Sequence, residues 1–253
     1  MSLSPDELAR YARHIVLREI GGPGQARLRA ARVVVVGAGG LGDPALLYLA
    51  AAGVGALDII DDDTVALSNL QRQILFGMDD IGASKAAAAA AALRRINPGV
   101  AVTPVAARLD AGNAAELLAG ATLVIDGSDN FATRYAVNAA CVAAGIPLLS
   151  AAMSQWEGQI ALFDPARGGP CYRCLFPEPP AEGLAPSCAE AGVVGPLPGV
   201  LGALLALEAV KEIAGAGQGL RGRLLLFDGL RAETRRLRIA ARADCPDCGG
   251  RGT

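Results

Sequence analysis

Short apolar runs alternate along the chain with longer segments of helical character. Residues 33–36 are four consecutive valines, a pattern typical of a strand buried on both faces of a parallel sheet. Similar runs predict strands at residues 32–36, 56–61, 100–106, 121–126 and 147–153. Alanine- and leucine-rich segments between them predict helices at residues 41–53, 83–96, 113–119 and 130–144. This alternation predicts an α/β fold with a doubly wound, mostly parallel sheet.

The two ends of the chain depart from this alternation. Ser4 and Glu7 match a capping box, so we predict a helix over residues 5–18 that the following glycines break. After about residue 150, strands at 159–163 and 224–227 predict an antiparallel C-terminal extension. A proline-rich loop and a final helix are predicted between these two strands, at residues 177–186 and 199–214.

Composition and charge narrow the class of protein. The chain has 253 residues, a formal net charge of −2 and no long basic run, so we expect no nucleic-acid partner. The N-terminus lacks the features of a signal peptide, and the uncharged, apolar stretch at residues 193–207 is short for a membrane span. We therefore expect a soluble cytoplasmic protein with no membrane partner. In that compartment, its six cysteines indicate metal ligands or reactive thiols rather than disulfides.

A glycine-rich turn follows the valine strand and points to nucleotide binding. Its glycines fit a G-x-G-x-x-G pattern, and backbone amides in such a turn approach phosphate at a helix N-terminus; they are Gly37, Gly39, Gly40 and Gly42. Asp61 ends the next predicted strand, where a carboxylate would meet the ribose. Together these features predict a Rossmann-like nucleotide site, whereas the turn alone would also fit a tight strand–helix connection.

Polar residues after this turn add candidate phosphate and metal ligands. Arg72 and Lys85 are cations that follow the ribose-binding acid, although each alone would also fit a solvated helix face. Asp129 follows the strand predicted at residues 121–126, at the sheet edge where doubly wound folds bind ligands. Spacing alone leaves two roles open for Asp129, an oxygen ligand of Mg²⁺ or the cap of the next helix.

The cysteines separate into one predicted metal site and two other thiols. Two C-x-x-C pairs predict a tetrahedral site for structural Zn²⁺, with redox-active or unrelated thiols as the alternative; they are Cys171, Cys174, Cys245 and Cys248. Cys141 lies in an apolar helical segment and is expected to be a core residue. Cys188 lies in a predicted loop, where an exposed thiol can act as a nucleophile if a base lies nearby.

Taken together, these motifs resemble the adenylyltransferases that activate ubiquitin-like sulfur-carrier proteins, among them the molybdopterin-synthase and thiamine-biosynthesis enzymes. The resemblance covers nearly the whole chain, and its most specific parts are SNLQRQ at residues 68–73, CYRC at 171–174 and the final C-x-x-C. Other matching positions are Arg10 to Arg13, Asp61 to Asp63, Lys85, Arg95 to Pro98, Asp129, Asn130, Arg134, Glu157 to Gln159 and residues 191–199.

The resemblance implies a homodimer that converts ATP and the Gly-Gly carboxylate of a carrier protein into an acyl-adenylate and pyrophosphate. It implies that Asp129, linked to Mg²⁺, is catalytic, and that Arg13 reaches into the partner subunit's site. It also implies catalytic roles for Arg72 and Lys85 and a role in sulfur transfer for Cys188. The implied nucleotide-binding residues are Gly37, Gly39, Gly40, Gly42, Asp61, Asp63, Ser68, Asn69, Leu70, Gln71, Arg72, Lys85, Asp129 and Asn130.

The same resemblance suggests how the chain is divided. We expect one domain over residues 1–253, with an N-terminal helical arm at 1–30, a nucleotide-binding half at 31–150 and a carrier- and zinc-binding half at 151–253. Because the sequence stops at Thr253, we expect a separate sulfur-donor protein to act in trans. Molybdenum-cofactor biosynthesis is the favoured pathway, with thiamine biosynthesis as the alternative.

One position departs from the family pattern and two other classes of function stay open. Asp43 follows the glycine turn where a small neutral residue is usual, so its carboxylate is expected to compete with phosphates, and Asp43→Ser to tighten ATP binding. A nicotinamide-dependent oxidoreductase would use the same glycine turn, but none of the four tyrosines has a lysine four residues on. A non-catalytic zinc scaffold that binds the carrier is the third hypothesis.

Overall fold

The computed structural model describes residues 3–180 and 191–249. One eight-stranded sheet runs through them in the order β3-β2-β1-β4-β5-β6-β7-β8. Strands β1 to β5 pair in parallel, and β5 to β8 pair antiparallel. The strands are β1 (Arg32–Val36), β2 (Ala56–Ile60), β3 (Ala101–Val105), β4 (Leu123–Asp126), β5 (Leu148–Ser154), β6 (Glu157–Phe163), β7 (Arg223–Asp228) and β8 (Glu233–Arg238). The predicted fold class, with its antiparallel C-terminal extension, is confirmed.

Helices cover both faces of the sheet, and the sheet separates two hydrophobic cores. Val33 and Val35 pack into one core with α4, α5 and α9, whereas Val34 and Val36 pack into the other with α6 and α7. All four valines are buried, as a strand with helices on both sides requires. The described helices are α1 (Pro5–Arg10), α2 (Ala12–Ile15), α3 (Gly21–Ala30), α4 (Gly42–Ala52), α5 (Lys85–Ile96), α6 (Ala114–Leu118), α7 (Phe131–Ala144), α8 (Tyr172–Leu175) and α9 (Pro196–Ala214).

Three elements differ from the sequence prediction. The helix predicted over residues 5–18 is interrupted at Tyr11, whose buried hydroxyl accepts a hydrogen bond from Asn97 Nδ2 (2.8 Å). The glycines expected to end that helix begin α3 instead, where Leu28 is fully buried. Strand β8 was not predicted, because its side chains are exposed and carry no apolar alternation. Tertiary contacts therefore decide all three elements.

Within residues 3–180 and 191–249, the helices are too short or too polar to cross a lipid bilayer. The cytoplasmic location expected from the sequence stays a prediction. The division into an arm and two halves also stays a prediction.

Candidate active site

A crevice of about 1020 Å³ opens where β1, β2 and β4 end. Because these strands are parallel, their carboxyl ends bring together segments that are far apart in sequence. Most of the predicted nucleotide-binding residues line it: Gly37, Gly39, Gly40, Asp61, Asp63, Asn69, Arg72, Lys85, Asp129 and Asn130. Gly42, Ser68, Leu70 and Gln71 are absent from the lining.

The glycine turn after β1 depends on close backbone packing. Gly37 has a φ of +90°, a conformation that side chains rarely adopt. A Cβ added to Gly42 would lie 1.8 Å from the Gly37 carbonyl oxygen. Gly42 therefore allows α4 to start directly against the turn, while Gly39 and Gly40 line the crevice.

Asp61 joins the end of β2 to this turn. Its Oδ2 accepts a hydrogen bond from the Ala38 amide (2.7 Å), and its Oδ1 accepts one from the Asp63 amide (2.9 Å). Burial raises the pKa of the Asp61 carboxyl, against the opposing effect of these two amides and of Lys85. The Lys85 ammonium is buried and lies 2.8 Å from Asp63 Oδ2, which compensates its charge.

Three residues of the SNLQRQ segment line the crevice, and one of them is buried. Asn69 Oδ1 accepts a hydrogen bond from the Ala66 amide (3.1 Å), and Arg72 Nη1 donates to the Ser68 carbonyl (3.1 Å). Gln73, which the sequence analysis did not select, is buried and also lines the crevice. In contrast, Leu70 packs against the core and Gln71 Nε2 donates to the Val193 carbonyl (3.4 Å).

Spacing left two roles open for Asp129, and one of them, the cap of the next helix, belongs to Asn130. Asn130 caps α7, because its side chain accepts a hydrogen bond from the Thr133 amide (2.9 Å). Asp129 is exposed and lines the crevice. The cap therefore does not use Asp129, so its exposed carboxylate stays available as the kind of oxygen ligand that a hard cation prefers.

A buried polar network lies beneath Asp129 and was not predicted. Asp126 Oδ1 accepts hydrogen bonds from the Ser128 amide (2.9 Å) and hydroxyl (2.6 Å). Arg134 is buried, donates to the Ser150 hydroxyl (3.3 Å) and bonds the Ser128 carbonyl. The signal available in the sequence was a polar residue in each of two apolar strands, Asp126 at the end of β4 and Ser150 within β5. This network positions the backbone that carries Asp129.

Of the predicted catalytic residues that the structure describes, Arg13 is absent from the lining of this crevice. Arg13 lies on the exposed side of α2 and does not line the crevice of its own chain. Tyr11, two residues before Arg13, anchors this arm. Its ring packs so closely against Gly53 that a Cβ at that position would overlap it. Cys188 lies outside the described residues. His14 Nδ1 lies 3.1 Å from Oε1 of the buried Gln25, also away from the crevice lining.

Asp43 has an environment that the sequence did not indicate. Its carboxyl group is buried, is absent from the crevice lining and accepts a hydrogen bond from the Leu75 amide (2.9 Å). Burial raises its pKa to about 7, and the Leu75 amide opposes that rise.

The two C-x-x-C pairs meet in one buried cluster. The four Sγ atoms lie within 4.8 Å of one another, and three of their separations are 3.9, 3.5 and 3.5 Å. A tetrahedral site with Zn–S bonds of about 2.3 Å has Sγ atoms about 3.8 Å apart. The four thiols therefore fit a structural zinc ion. Cys141 lies apart, and burial raises the pKa of its thiol, as expected of a core residue.

Helix α7 connects this cluster to the crevice. Asn138 Nδ2 donates to Asp247 Oδ2 (2.6 Å), between the last two cysteines, and Asn138 Oδ1 accepts from the Tyr172 amide (2.8 Å). The N-terminus of the same helix carries Asn130. Beyond Cys174, the side chains of Phe176 and Glu178 line the crevice. The cysteine cluster thus holds one wall of the crevice in place.

The site combines backbone amides, two cations, the partly buried carboxylate of Asp61 and the exposed carboxylate of Asp129 at one sheet edge. Amides of the glycine turn and the side chains of Arg72 and Lys85 can bind a chain of phosphates. Carboxylates of Asp61 and Asp129 can accept hydrogen bonds from a ribose or bind a hard cation. These roles of individual residues stay predictions.

Comparison with known proteins places the chain in a family. The sequence model of the ThiF family matches residues 11–248. The SAMP-activating enzyme E1 of Haloferax volcanii is 50% identical over 252 residues, which cover 100% of this chain and 93% of that protein. The sulfur carrier protein adenylyltransferase of Thermus thermophilus is 49% identical over 257 residues, covering 100% and 95%. Bovine adenylyltransferase and sulfurtransferase MOCS3 is 51% identical over 253 residues, but this chain spans 55% of it.

A solved structure agrees in fold. Escherichia coli MccB with MccA-N7isoASN superposes with a TM-score of 0.85 at 24% identity, covering 98% of this chain and 75% of that one. The relatives named adenylyltransferases confirm the predicted enzyme class, a nucleotidyltransferase. With the family match over most of its length and identities near one half, the chain belongs to the ThiF family.

Proposed function

We propose that this protein adenylates the C-terminal Gly-Gly carboxylate of a ubiquitin-like sulfur-carrier protein. The observation that carries the proposal is the crevice, in which the glycine turn, Asp61, Arg72, Lys85 and Asp129 lie at one sheet edge. Two relatives that align over nearly their whole length support it, since their names are SAMP-activating enzyme and sulfur carrier protein adenylyltransferase.

The proposed reaction overcomes the poor leaving group of a carboxylate. One carboxylate oxygen attacks the α-phosphorus of ATP, and a new oxygen–phosphorus bond forms. The bond from that phosphorus to the bridging oxygen breaks, and pyrophosphate leaves with the electron pair. The carbonyl carbon then carries AMP, which a sulfur nucleophile can displace. The crevice serves this step by holding ATP and the peptide terminus in line.

Several residues that line the crevice have proposed roles in binding the nucleotide. Amides of the glycine turn bind phosphate, and Asp61 binds the ribose. On nucleotide binding, Lys85 exchanges its contact with Asp63 Oδ2 for phosphate oxygens, next to Asn69 and Arg72. Because Lys85 is already buried, its aliphatic chain moves little in this exchange.

Two metal ions complete the proposal. Mg²⁺ would neutralise phosphate charge, and the exposed carboxylate of Asp129 offers the oxygen ligand that it prefers. Zn²⁺ would bind Cys171, Cys174, Cys245 and Cys248 and would supply structural cross-linking, since four thiolates leave no open position.

We propose a homodimer in which Arg13 enters the site of the partner subunit. Large apolar side chains are exposed on two helices that share one core; they are Tyr48 on α4 and Val200 and Leu207 on α9. Exposed apolar patches commonly mark protein interfaces. Arg13, exposed on α2, would stabilise negative charge that develops during phosphoryl transfer.

The carrier is proposed to bind the antiparallel half, residues 151–253. Leu230 and Leu237 are exposed there, and β8 is the outermost strand of the sheet that the described residues form. Cys188 is proposed to take part in the later sulfur transfer, and a separate protein to donate the sulfur.

The decisive experiment measures carrier-dependent exchange of labelled pyrophosphate into ATP. Wild-type protein with Mg²⁺ and a Gly-Gly carrier should catalyse exchange, and Asp129→Asn should lower its rate by at least about 100-fold. Glu116→Gln is the matched control, because Glu116 is an exposed acid on α6 outside the crevice, and it should keep the wild-type rate.

Other outcomes would contradict the proposal. Quenching of NADH fluorescence without exchange would favour an oxidoreductase. Tight carrier binding without exchange would favour a zinc-containing scaffold.

The molybdenum-cofactor carrier is the proposed substrate, with the thiamine carrier as the alternative. Each purified carrier, incubated with protein, ATP and Mg²⁺, can be examined by mass spectrometry for an added AMP. Adduct on the thiamine carrier alone would reject the molybdenum assignment and leave the adenylation reaction intact.

A further inference from the structure

Asp43 is a charged residue in a place where charge is costly. It lies in the first turn of α4, directly after the glycine turn, and none of its surface is exposed. A carboxyl group in such a place is expected to have a specific partner, because an unpaired buried polar group is destabilising. Among the described residues, its Oδ1 has no hydrogen-bond partner.

The partner of Oδ2 is the Leu75 amide, 2.9 Å away. Leu75 and Phe76 are both buried in the core beneath α4, whereas the adjacent Ile74 is largely exposed. This bond therefore joins the first turn of α4 to the place where the SNLQRQ segment enters the core.

The segment before Leu75 carries side chains of the crevice. Arg72 and Gln73 line it and lie three and two residues before Leu75, respectively. The other hydrogen bonds of Arg72 and of the Gln73 amide stay inside the segment, to Ser68 and Asn69. Within residues 3–180 and 191–249, the Asp43–Leu75 bond is thus a direct tie between this segment and the phosphate-binding turn.

We propose that Asp43 is a positioning residue of the nucleotide site, which sets Arg72 and Gln73 against the glycine turn by holding the Leu75 amide. The inference rests on the proposed function, since the ligand of the crevice is taken to be ATP. It reverses the expectation from the sequence, in which the Asp43 carboxylate repels phosphates.

Burial supports this role over repulsion. The Asp43 carboxyl is absent from the crevice lining, and its pKa of about 7 leaves much of it uncharged near neutral pH. Asparagine has the same shape and an oxygen that can accept the Leu75 hydrogen bond. Serine is shorter and would not reach that amide.

The experiment measures the affinity for ATP with Mg²⁺ by calorimetry, without carrier, in Asp43→Ser and Asp43→Asn. Positioning predicts that Asp43→Ser weakens binding about tenfold, as displaced binding groups do, and that Asp43→Asn keeps most of the affinity. Repulsion predicts tighter binding in both variants. Tighter binding in either variant, or unchanged binding in Asp43→Ser, would overturn the proposal.

Two further variants test whether Asp43 acts through the segment. In an Arg72→Ala background, Asp43→Ser should cause less than about a threefold further loss, because coupled residues are not additive. Full additivity would overturn the proposal. Asp80→Ala removes a similar carboxylate–amide bond, to Gly77 (2.8 Å), without touching α4. It should leave ATP affinity within about threefold, since its bond stays local to an exposed turn.

These results are separate from the test of function. Wild-type protein that binds ATP but shows no carrier-dependent exchange would contradict the proposed adenylation and leave the Asp43 test valid. Normal exchange in the wild type with unchanged affinity in Asp43→Ser would contradict only the role of Asp43. Thermal unfolding of each variant verifies that it is folded.

Discussion

At the scale of single residues, burial changes the chemistry of side chains that the sequence presents as ordinary. Asp43 and Asp129 are both aspartates close to the crevice, yet one is buried with a pKa of about 7 and the other is exposed. Asp61 lies between these cases, because two backbone amides and Lys85 oppose the rise in pKa that burial causes. The same residue type therefore has three environments within one site.

The raised pKa of Asp43 predicts a pH dependence of stability. The pKa rises from its ordinary value of 3.8 to about 7 on folding, so ionisation of this group favours the unfolded state. The cost is absent below about pH 4, grows between pH 4 and 7 and reaches about 4 kcal/mol above pH 7, at about 1.4 kcal/mol per pKa unit.

Asp43→Asn removes this titration and should gain stability relative to the wild type as pH rises. The free energy of unfolding of both proteins, measured in urea at pH 5 and pH 8, provides the comparison. We expect the difference to move in favour of the asparagine variant by about 2–3 kcal/mol between these pH values. A constant difference would mean that the Asp43 carboxyl is not buried as described.

At the scale of elements, the cysteine cluster joins α8, α7 and the C-terminal segment. Cys171 precedes α8, while Cys245 and Cys248 follow β8, and Asn138 of α7 contacts both segments. Residues 239–249, which follow β8, have little regular structure of their own. The proposed zinc ion would therefore supply much of what holds them to the sheet.

Cys248→Ser should lower zinc affinity by more than about 100-fold. Loss of a ligand is expected to cost more than loss of a residue that only hydrogen-bonds to a ligand, which lowers affinity by about 10- to 100-fold. Zinc content of the purified variant, determined by mass spectrometry, gives the direct measurement. We expect faster proteolysis within residues 239–249 as well, because the segment loses its attachment. The control is Cys141→Ala, which should retain zinc, since Cys141 lies in a separate core. Full zinc content in Cys248→Ser would refute the four-cysteine site.

At the scale of the whole molecule, the proposed active site needs two chains. Asp129 lines the crevice of its own chain, whereas Arg13 lies outside it on the N-terminal arm. If Arg13 acts on the partner subunit, then two variants that are each inactive can restore each other. Arg13→Ala should reduce exchange by about 10³-fold or more, in line with arginines that stabilise phosphoryl transfer.

Arg13→Ala and Asp129→Asn, unfolded together and refolded as a mixture, test this arrangement. Random pairing puts about half of the chains in mixed dimers, and one site of each mixed dimer has both native residues, so about a quarter of wild-type exchange should return. No recovery, with mixed dimers verified by native mass spectrometry, would indicate that Arg13 acts within its own chain.

Local patterns in the sequence determined much of this protein. The valine run, the glycine turn and the alanine-rich segments specify strands and helices through neighbours along the chain, so their order and the α/β class followed directly. The two C-x-x-C pairs likewise indicated zinc, because each pair is a local ligand motif. Positions of Asp61, Arg72, Lys85 and Asp129 after their strands placed them at one sheet edge, where the crevice lies.

Only the tertiary structure decided what depends on contacts between distant segments. Packing of Leu28 stabilises α3 despite its glycines, and pairing with β7 forms β8 despite its exposed side chains. Asn130, and not Asp129, caps α7, and the Asp43 carboxyl accepts a hydrogen bond from the Leu75 amide. Burial and hydrogen-bond partners are properties of the packed molecule, because chain neighbours cannot reveal which distant atoms exclude water from a group.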